Sequence, residues 1–195
     1  MREVIKMLVV LTMVSAVSGL ALGFMNKITL DPIAQAEFKF AKEPALKEVL
    51  PEYDNDLVKD QFTIKEKDGT DVVVYPAKQG GKIVAVAFES SAKGFGGDVW
   101  IMVGIDLEKD ILRGIGIVKQ SETPGMGARM VEEPFKAQFK KDFPVSSVFA
   151  VKADGGKIDA LSGATISSRA VCGAINDAFK FYQDNSTQIK NPQAK

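Results

Sequence analysis

DVWIMVGIDLEKDILRGIGIVKQ, residues 98–120, reads as two runs of β-branched and aliphatic residues joined by a polar turn at 108–110. Neither run has the three-to-four-residue apolar spacing of a helix, and a short polar connection between two such runs predicts an antiparallel hairpin. Upstream, DVVVYPAKQGGKIVAVAFESS at 71–91 repeats the form, with β-rich runs at 72–75 and 83–88 flanking Pro-Ala-Lys-Gln-Gly-Gly. Two successive hairpins imply an antiparallel sheet, and such a sheet needs helices to cover it.

The covering helices are sought on both sides. TLDPIAQAEFKFAKEPALKEVLPEYD, from Thr29, offers Asp31 as an N-cap and Pro32 at the first helical position, with a break or a second short helix at Pro44. EEPFKAQFKK predicts a helix over 133–141 started by Pro134. Short strands are expected near 148–151 and 157–160. A final helix is expected from Ser167 to about Tyr182, burying Val171, Ala174 or Ile175, Ala178 and Phe181, and after it a frayed polar tail. The fold class is α+β: an antiparallel sheet with packed helices on a single amino-terminal transmembrane helix. The expected divisions are 1–28 for cytoplasmic tip and anchor, 29–50 for a helical connector, 51–184 for the extracytoplasmic domain and 185–195 for the tail.

The anchor is read from the uncharged run between Met7 and Met25, about the length needed to cross a bilayer core. Arg2 and Lys6 precede it and favour a cytoplasmic amino terminus, although Lys27 on the far side weakens the bias. A cleaved signal peptide processed near Ala21 or Gly23 is the alternative. Ser15, Gly19 and Gly23 form a small-residue stripe that suits a partner helix.

Composition narrows the chemistry. Lysine and arginine number 25 against 25 acids, which gives no electrostatic footprint for nucleic acid. The chain has no histidine and one cysteine, so Ser-His and Cys-His nucleophile systems, haem ligation and cysteine-held clusters are excluded, and no metal site is expected. Difficult chemistry in such a chain falls to an organic cofactor.

One segment has more hydroxyls than structure requires. DALSGATISSRAV, residues 159–171, places Ser162, Thr165, Ser167 and Ser168 at the mouth of the last helix, where one cap suffices. Ser167 or Ser168 suits that cap. Gly163 and Ala164 leave the backbone uncrowded, and a helix start with free N–H groups favours an anion such as phosphate.

Asp159-Ala160-Leu161-Ser162-Gly163-Ala164-Thr165 resembles the D-x-x-S-G-A-T acceptor motif of the covalent FMN-binding domain family. KGFGGDVWIMVGID at 93–106 and SETPGMGARM at 121–130 resemble two further stretches of that family, in the same order. With the single anchor, the resemblance covers most of the chain and points to the G subunits of Rnf ion-translocating electron-transport complexes. The C subunits of the sodium-pumping NADH:quinone reductases are related but longer.

The resemblance implies FMN held as a phosphodiester on Thr165, with Ser162, Gly163, Ala164, Ser167 and Ser168 around the phosphate. It also makes Glu122, Thr123, Pro124 and Gly125 candidates for contacts with the ring or ribityl chain, and gives Gly125 and Gly127 the role of admitting a flat ring. Relatives often carry a histidine just ahead of E-T-P-G, where this chain has Gln120 and Ser121, so a proton-transfer role for that histidine does not carry over. A threonine hydroxyl is a poor nucleophile without a base. The family's separate flavin transferase, which moves FMN from FAD with magnesium and reads Asp159, supplies the attachment. The implied function is electron transfer in a complex coupling ferredoxin:NAD⁺ electron transfer to Na⁺ or H⁺ movement, in the cytoplasmic membrane with the FMN domain outside. No residue is expected to be catalytic by itself, and the partners are integral-membrane and flavin or iron-sulfur subunits. The alternatives are a flavin subunit of the quinone reductase or another membrane redox chain, and an unflavinylated extracytoplasmic binding or scaffold module.

Overall fold

The computed structural model describes residues 1–66 and 69–192, which divide into two compact units, Met1–Phe40 and Ala41–Lys195. The first unit is built on helix α1, Arg2–Glu37, and residues 1–30 are all exposed. Helix α1 contains an 18-residue stretch apolar enough, by length and composition, to cross a membrane, with a mean hydropathy of 2.2. The expected fresh helix start at Asp31-Pro32 is corrected, because α1 runs through both residues. Pro32 costs one intrahelical hydrogen bond but does not end the helix. A π-helical turn, Phe38–Lys42, comes next in the chain.

In the second unit five strands pair antiparallel in sequence order: β1 Phe62–Lys65, β2 Asp71–Gln79, β3 Lys82–Lys93, β4 Asp98–Asp106 and β5 Ile111–Lys119. Both hairpins stand where the sequence places them, but β2 is longer than expected and carries Pro76 within it. Pro76 pairs with Val86 on β3, and its carbonyl accepts from the side chain of Asn55, beyond the end of the short β1. The missing N–H therefore interrupts no ladder, the condition under which strands accept proline. β1 itself escaped the sequence reading, since its four residues are too few to show alternation.

The sheet is covered on both faces. On one, Val99, Ile101, Val103 and Ile105 of β4 join the main core with Val171, Ala174, Ile175, Ala178 and Phe181 of α5, Thr165–Lys190. On the other, helix α2, Glu43–Val49, buries Ala45, Leu46 and Val49 and comes close to β4 and β5 at Gly104 and Gly116. Double-sided burial explains why 101–105 is apolar throughout rather than alternating. A short helix α3, Leu57–Asp60, is capped by the Asp56 carboxylate.

Three further expectations are revised. The helix over 133–141 is one turn, α4, Glu133–Lys136, tightening into a 3₁₀ turn at Ala137–Phe139 that puts Phe135 and Phe139 in the core. The short strands near 148–151 and 157–160 reduce to an isolated bridge between Val151 and Ile158, around a 3₁₀ turn at Lys152–Asp154. The last helix continues to Lys190 instead of fraying after Tyr182, because Ile189 is buried and Lys190 pairs with Asp110 at 2.9 Å. Of the expected polar tail, 193–195 lie outside the described residues.

Candidate functional site

The sequence-predicted residues meet at the amino end of α5. Its N-cap is Ala164, no side chain caps it, and Thr165 is the first helical residue. The expected caps do other work. Ser168 Oγ accepts from the Leu161 N–H at 2.9 Å and donates to the Ala164 carbonyl at 3.0 Å, folding the 161–164 loop onto the helix from inside. Ser167 Oγ donates to Glu122 Oε2 at 2.7 Å. Both serines are buried, whereas Ser162 and Gly163 are exposed and Thr165 is half-buried. The surplus of hydroxyls thus resolves into two internal struts and two groups facing outward. The N–H groups of the first turn, uncapped by any side chain, carry the partial positive charge of a 26-residue helix.

Gly163 has φ +74°, a left-handed conformation that side chains seldom take. A Cβ there meets only Met126 Cε, at 3.1 Å, so the 161–164 loop lies directly beside Met126. Met126 ends the turn 123–126, in which its N–H donates to the Thr123 carbonyl at 3.1 Å. Pro124 follows Thr123, and Gly125 at φ +77° completes the turn its sequence predicts. Thr123, Pro124 and Gly125 are exposed.

Glu122 is buried, at 6% exposure. Its Oε1 accepts from the N–H groups of Phe95 at 2.8 Å and Gly96 at 3.1 Å, and its Oε2 accepts from Ser167. Gln120 Oε1 accepts the Glu122 N–H at 2.6 Å, which gives this side chain a local structural use. The glycines nearby are packing positions. A Cβ on Gly94 or Gly127 collides with the Glu122 carboxylate, and one on Gly96 collides with the Ser121 carbonyl. Gly127 therefore makes room for Glu122 and Ser167, a correction to the expectation that it admits a flat ring.

Asp159 lies at the far end of the motif with an exposed carboxylate 2.6 Å from Lys152 Nζ. Its backbone is held on both sides by one amide: its N–H donates to Gln138 Oε1 at 2.7 Å, and Gln138 Nε2 donates to its carbonyl at 3.2 Å. Neither partner is legible in the sequence, since both lie outside the motif and are ordinary surface residues in composition.

Sequence reasoning also missed a group of exposed apolar side chains on the segments that converge here. Phe95 is 72% exposed, Ile166 49% and Met126 44%. Phe95 stands on the loop bound by Glu122, Ile166 follows Thr165, and Met126 lies beside Gly163. Their apolarity was the available signal, but in a sequence it does not separate a surface from a core. A groove of about 690 Å³ lies elsewhere, lined by residues that include Lys65, Val72, Trp100 and Phe181, and contains none of the predicted site residues. The candidate site is an open surface.

These features fit FMN: an uncapped helix start for phosphate, a side-chain-free left-handed glycine beside it, a half-exposed hydroxyl, and apolar groups able to take a flat ring. The family described as the FMN-binding domain matches residues 94–180, a span opening at the loop under Glu122 and including Thr165. The chain is 32% identical over 194 residues to the G subunit of the ion-translocating oxidoreductase complex of Stutzerimonas stutzeri, covering 95% of this chain and 83% of that protein. It is 32% identical over 182 residues to the protein of the same name from Methanosarcina acetivorans, covering 92% and 95% respectively. The crystal structure of Shewanella oneidensis NqrC shares the fold, with a TM-score of 0.50 over 74% of this chain and 72% of that one at 21% identity. Identity of this extent and coverage shows that the chain belongs to the family formed by the G subunits of ion-translocating oxidoreductase complexes.

Proposed function

We propose that this chain is a membrane-anchored electron carrier of an Rnf-type ion-translocating oxidoreductase, with FMN joined to Thr165 Oγ as a phosphodiester. The observation that carries the reading is the coincidence of a side-chain-uncapped helix start with Thr165 as its first residue and Gly163 at positive φ beside it. First-turn N–H groups neutralise phosphate charge, and Ser162 and Thr123 offer exposed hydroxyls nearby. Phe95, Met126 and Ile166 give the ring an apolar bed. Bound there, FMN supplies one-electron and two-electron transfer at a site that has no histidine of its own.

Attachment needs an outside enzyme. With a flavin transferase and magnesium, Thr165 Oγ forms a bond to the FMN phosphorus of FAD. AMP leaves with the electron pair of the broken pyrophosphate bond, and the hydroxyl proton passes to a base on the transferase. Asp159 is the residue the transferase reads. The domain lies on the extracytoplasmic side, where a permanent tether prevents loss of a dissociating cofactor. Electrons pass to and from integral-membrane and flavin or iron-sulfur subunits during ferredoxin:NAD⁺ electron transfer coupled to Na⁺ or H⁺ movement, so turnover belongs to the complex.

The test is Thr165→Ala in the full chain, co-produced with a flavin transferase. In-gel flavin fluorescence should vanish while the circular dichroism spectrum remains that of the folded protein. Flavin kept by the variant after denaturation, or mapped by peptide mass to Ser162, sinks the assignment. A wild-type chain that takes no flavin would favour the scaffold alternative.

A further inference from the structure

Glu122 joins two segments that the chain separates. Through three hydrogen bonds its carboxylate spans the 94–97 loop and the first turn of α5, two residues past Thr165. A carboxylate is suited to this role because it only accepts, and all three groups facing it donate. Charge-assisted bonds of this kind are the strong ones. The geometry is built around it: Gly94 and Gly127 admit the carboxylate, and Gln120 fixes the Glu122 backbone. Buried at 6% exposure, with both oxygens taken by the protein, Glu122 is placed to hold the site's shape.

We propose that Glu122 is a positioning residue: it fixes the Phe95 loop against the start of α5, so that Thr165 and the apolar bed stand in a productive arrangement before flavin arrives. This rests on the reading that Thr165 is the acceptor, and it assigns Glu122 no contact with the reacting atoms. The physical argument is preorganisation. A loop that must be ordered during transfer charges that entropy to the rate, whereas a loop already tied does not.

The experiment uses full-length, flavin-free protein in detergent with purified flavin transferase, FAD and magnesium, following covalent flavin by in-gel fluorescence. Glu122→Ala removes all three bonds and should slow attachment by about tenfold or more, the equivalent of losing one charge-assisted hydrogen bond. Glu122→Gln should label within about threefold of wild type, since its amide oxygen accepts the Phe95 and Gly96 N–H groups and its nitrogen donates to Ser167 Oγ. Ser167→Ala should lie between them. Two readouts separate positioning from loss of fold. In the flavin-free Glu122→Ala protein, amide exchange should rise at Phe95, Gly96 and the first turn of α5 while the β4–β5 ladder stays protected. Flavin already attached should show lower fluorescence anisotropy in that variant than in wild type. Wild-type attachment rates in folded Glu122→Ala overturn the proposal, as does Glu122→Gln failing as badly as Glu122→Ala. Should Glu122→Ala fail to fold, Ser167→Ala decides, and a wild-type rate with unchanged exchange there overturns the proposal. Labelling of Thr165→Ala at the wild-type rate would instead defeat the acceptor assignment, a distinguishable result.

Discussion

Cys172 lies on the inward face of α5, two turns from Thr165. It is buried, and burial pushes its thiol up to about 11. Since the thiolate is the reactive form, this cysteine is a small core hydrophobe. Iodoacetamide at about pH 8 should leave the folded protein unmodified and add one group after denaturation, read by intact mass. Rapid labelling of the native chain would refute this. The same contrast between type and setting governs the motif. D-x-x-S-G-A-T is visible as a string, but which hydroxyls face inward is not. Ser167 and Ser168 point into the protein because helix geometry turns them toward Glu122 and Leu161, residues 45 and 7 positions away.

Two contacts at the level of elements are open to test. Helix α2 packs so closely on the sheet that a Cβ on Gly116 stands 2.8 Å from the Ala45 Cβ. Gly116→Val should destabilise the domain by about 1–3 kcal/mol, the usual effect of overpacking, without altering flavin attachment in the protein that remains folded. Thermal unfolding beside the attachment assay checks both halves. The second contact joins the β4–β5 turn to the end of α5, where the Tyr182 hydroxyl and Lys190 Nζ both donate to Asp110. Burial alone raises the Asp110 carboxyl, but the bonds from Tyr182 and Lys190 outweigh it and hold it below the ordinary carboxylate range. A depressed folded value means the contribution is fully present above about pH 4 and is lost as pH falls through the folded value. Asp110 has φ +51°, which asparagine also tolerates, so Asp110→Asn removes charge without adding strain. The variant should melt lower than wild type near neutral pH, and the gap should close in acid. A gap unchanged down to about pH 2 would show that the carboxylate's ionisation contributes nothing.

For the molecule as a whole, the mature protein is expected to keep α1. Amino-terminal sequencing of membrane-extracted protein should begin ahead of the apolar run of α1, and a start near Gly23 or later would instead mark a cleaved signal. The long apolar helix, the two hairpins, the inward face of α5 and the D-x-x-S-G-A-T string were all readable in the chain because each is a local pattern: an uncharged run, short apolar segments around a polar turn, helical spacing, a contiguous string. What the sequence by itself determined is therefore an amino-terminal helix apolar enough to span a membrane, the α+β class and the hydroxyl-rich string that opens α5. The tertiary structure alone decided where α1 and α5 end, which serines became struts, and that Glu122 is buried between a glycine loop and a helix start. The end of α5 and the burial of Glu122 depend on partners far away in the chain, Asp110 for Lys190 and Phe95 for Glu122. A residue's type does not encode which distant donor will face it once the sheet has closed.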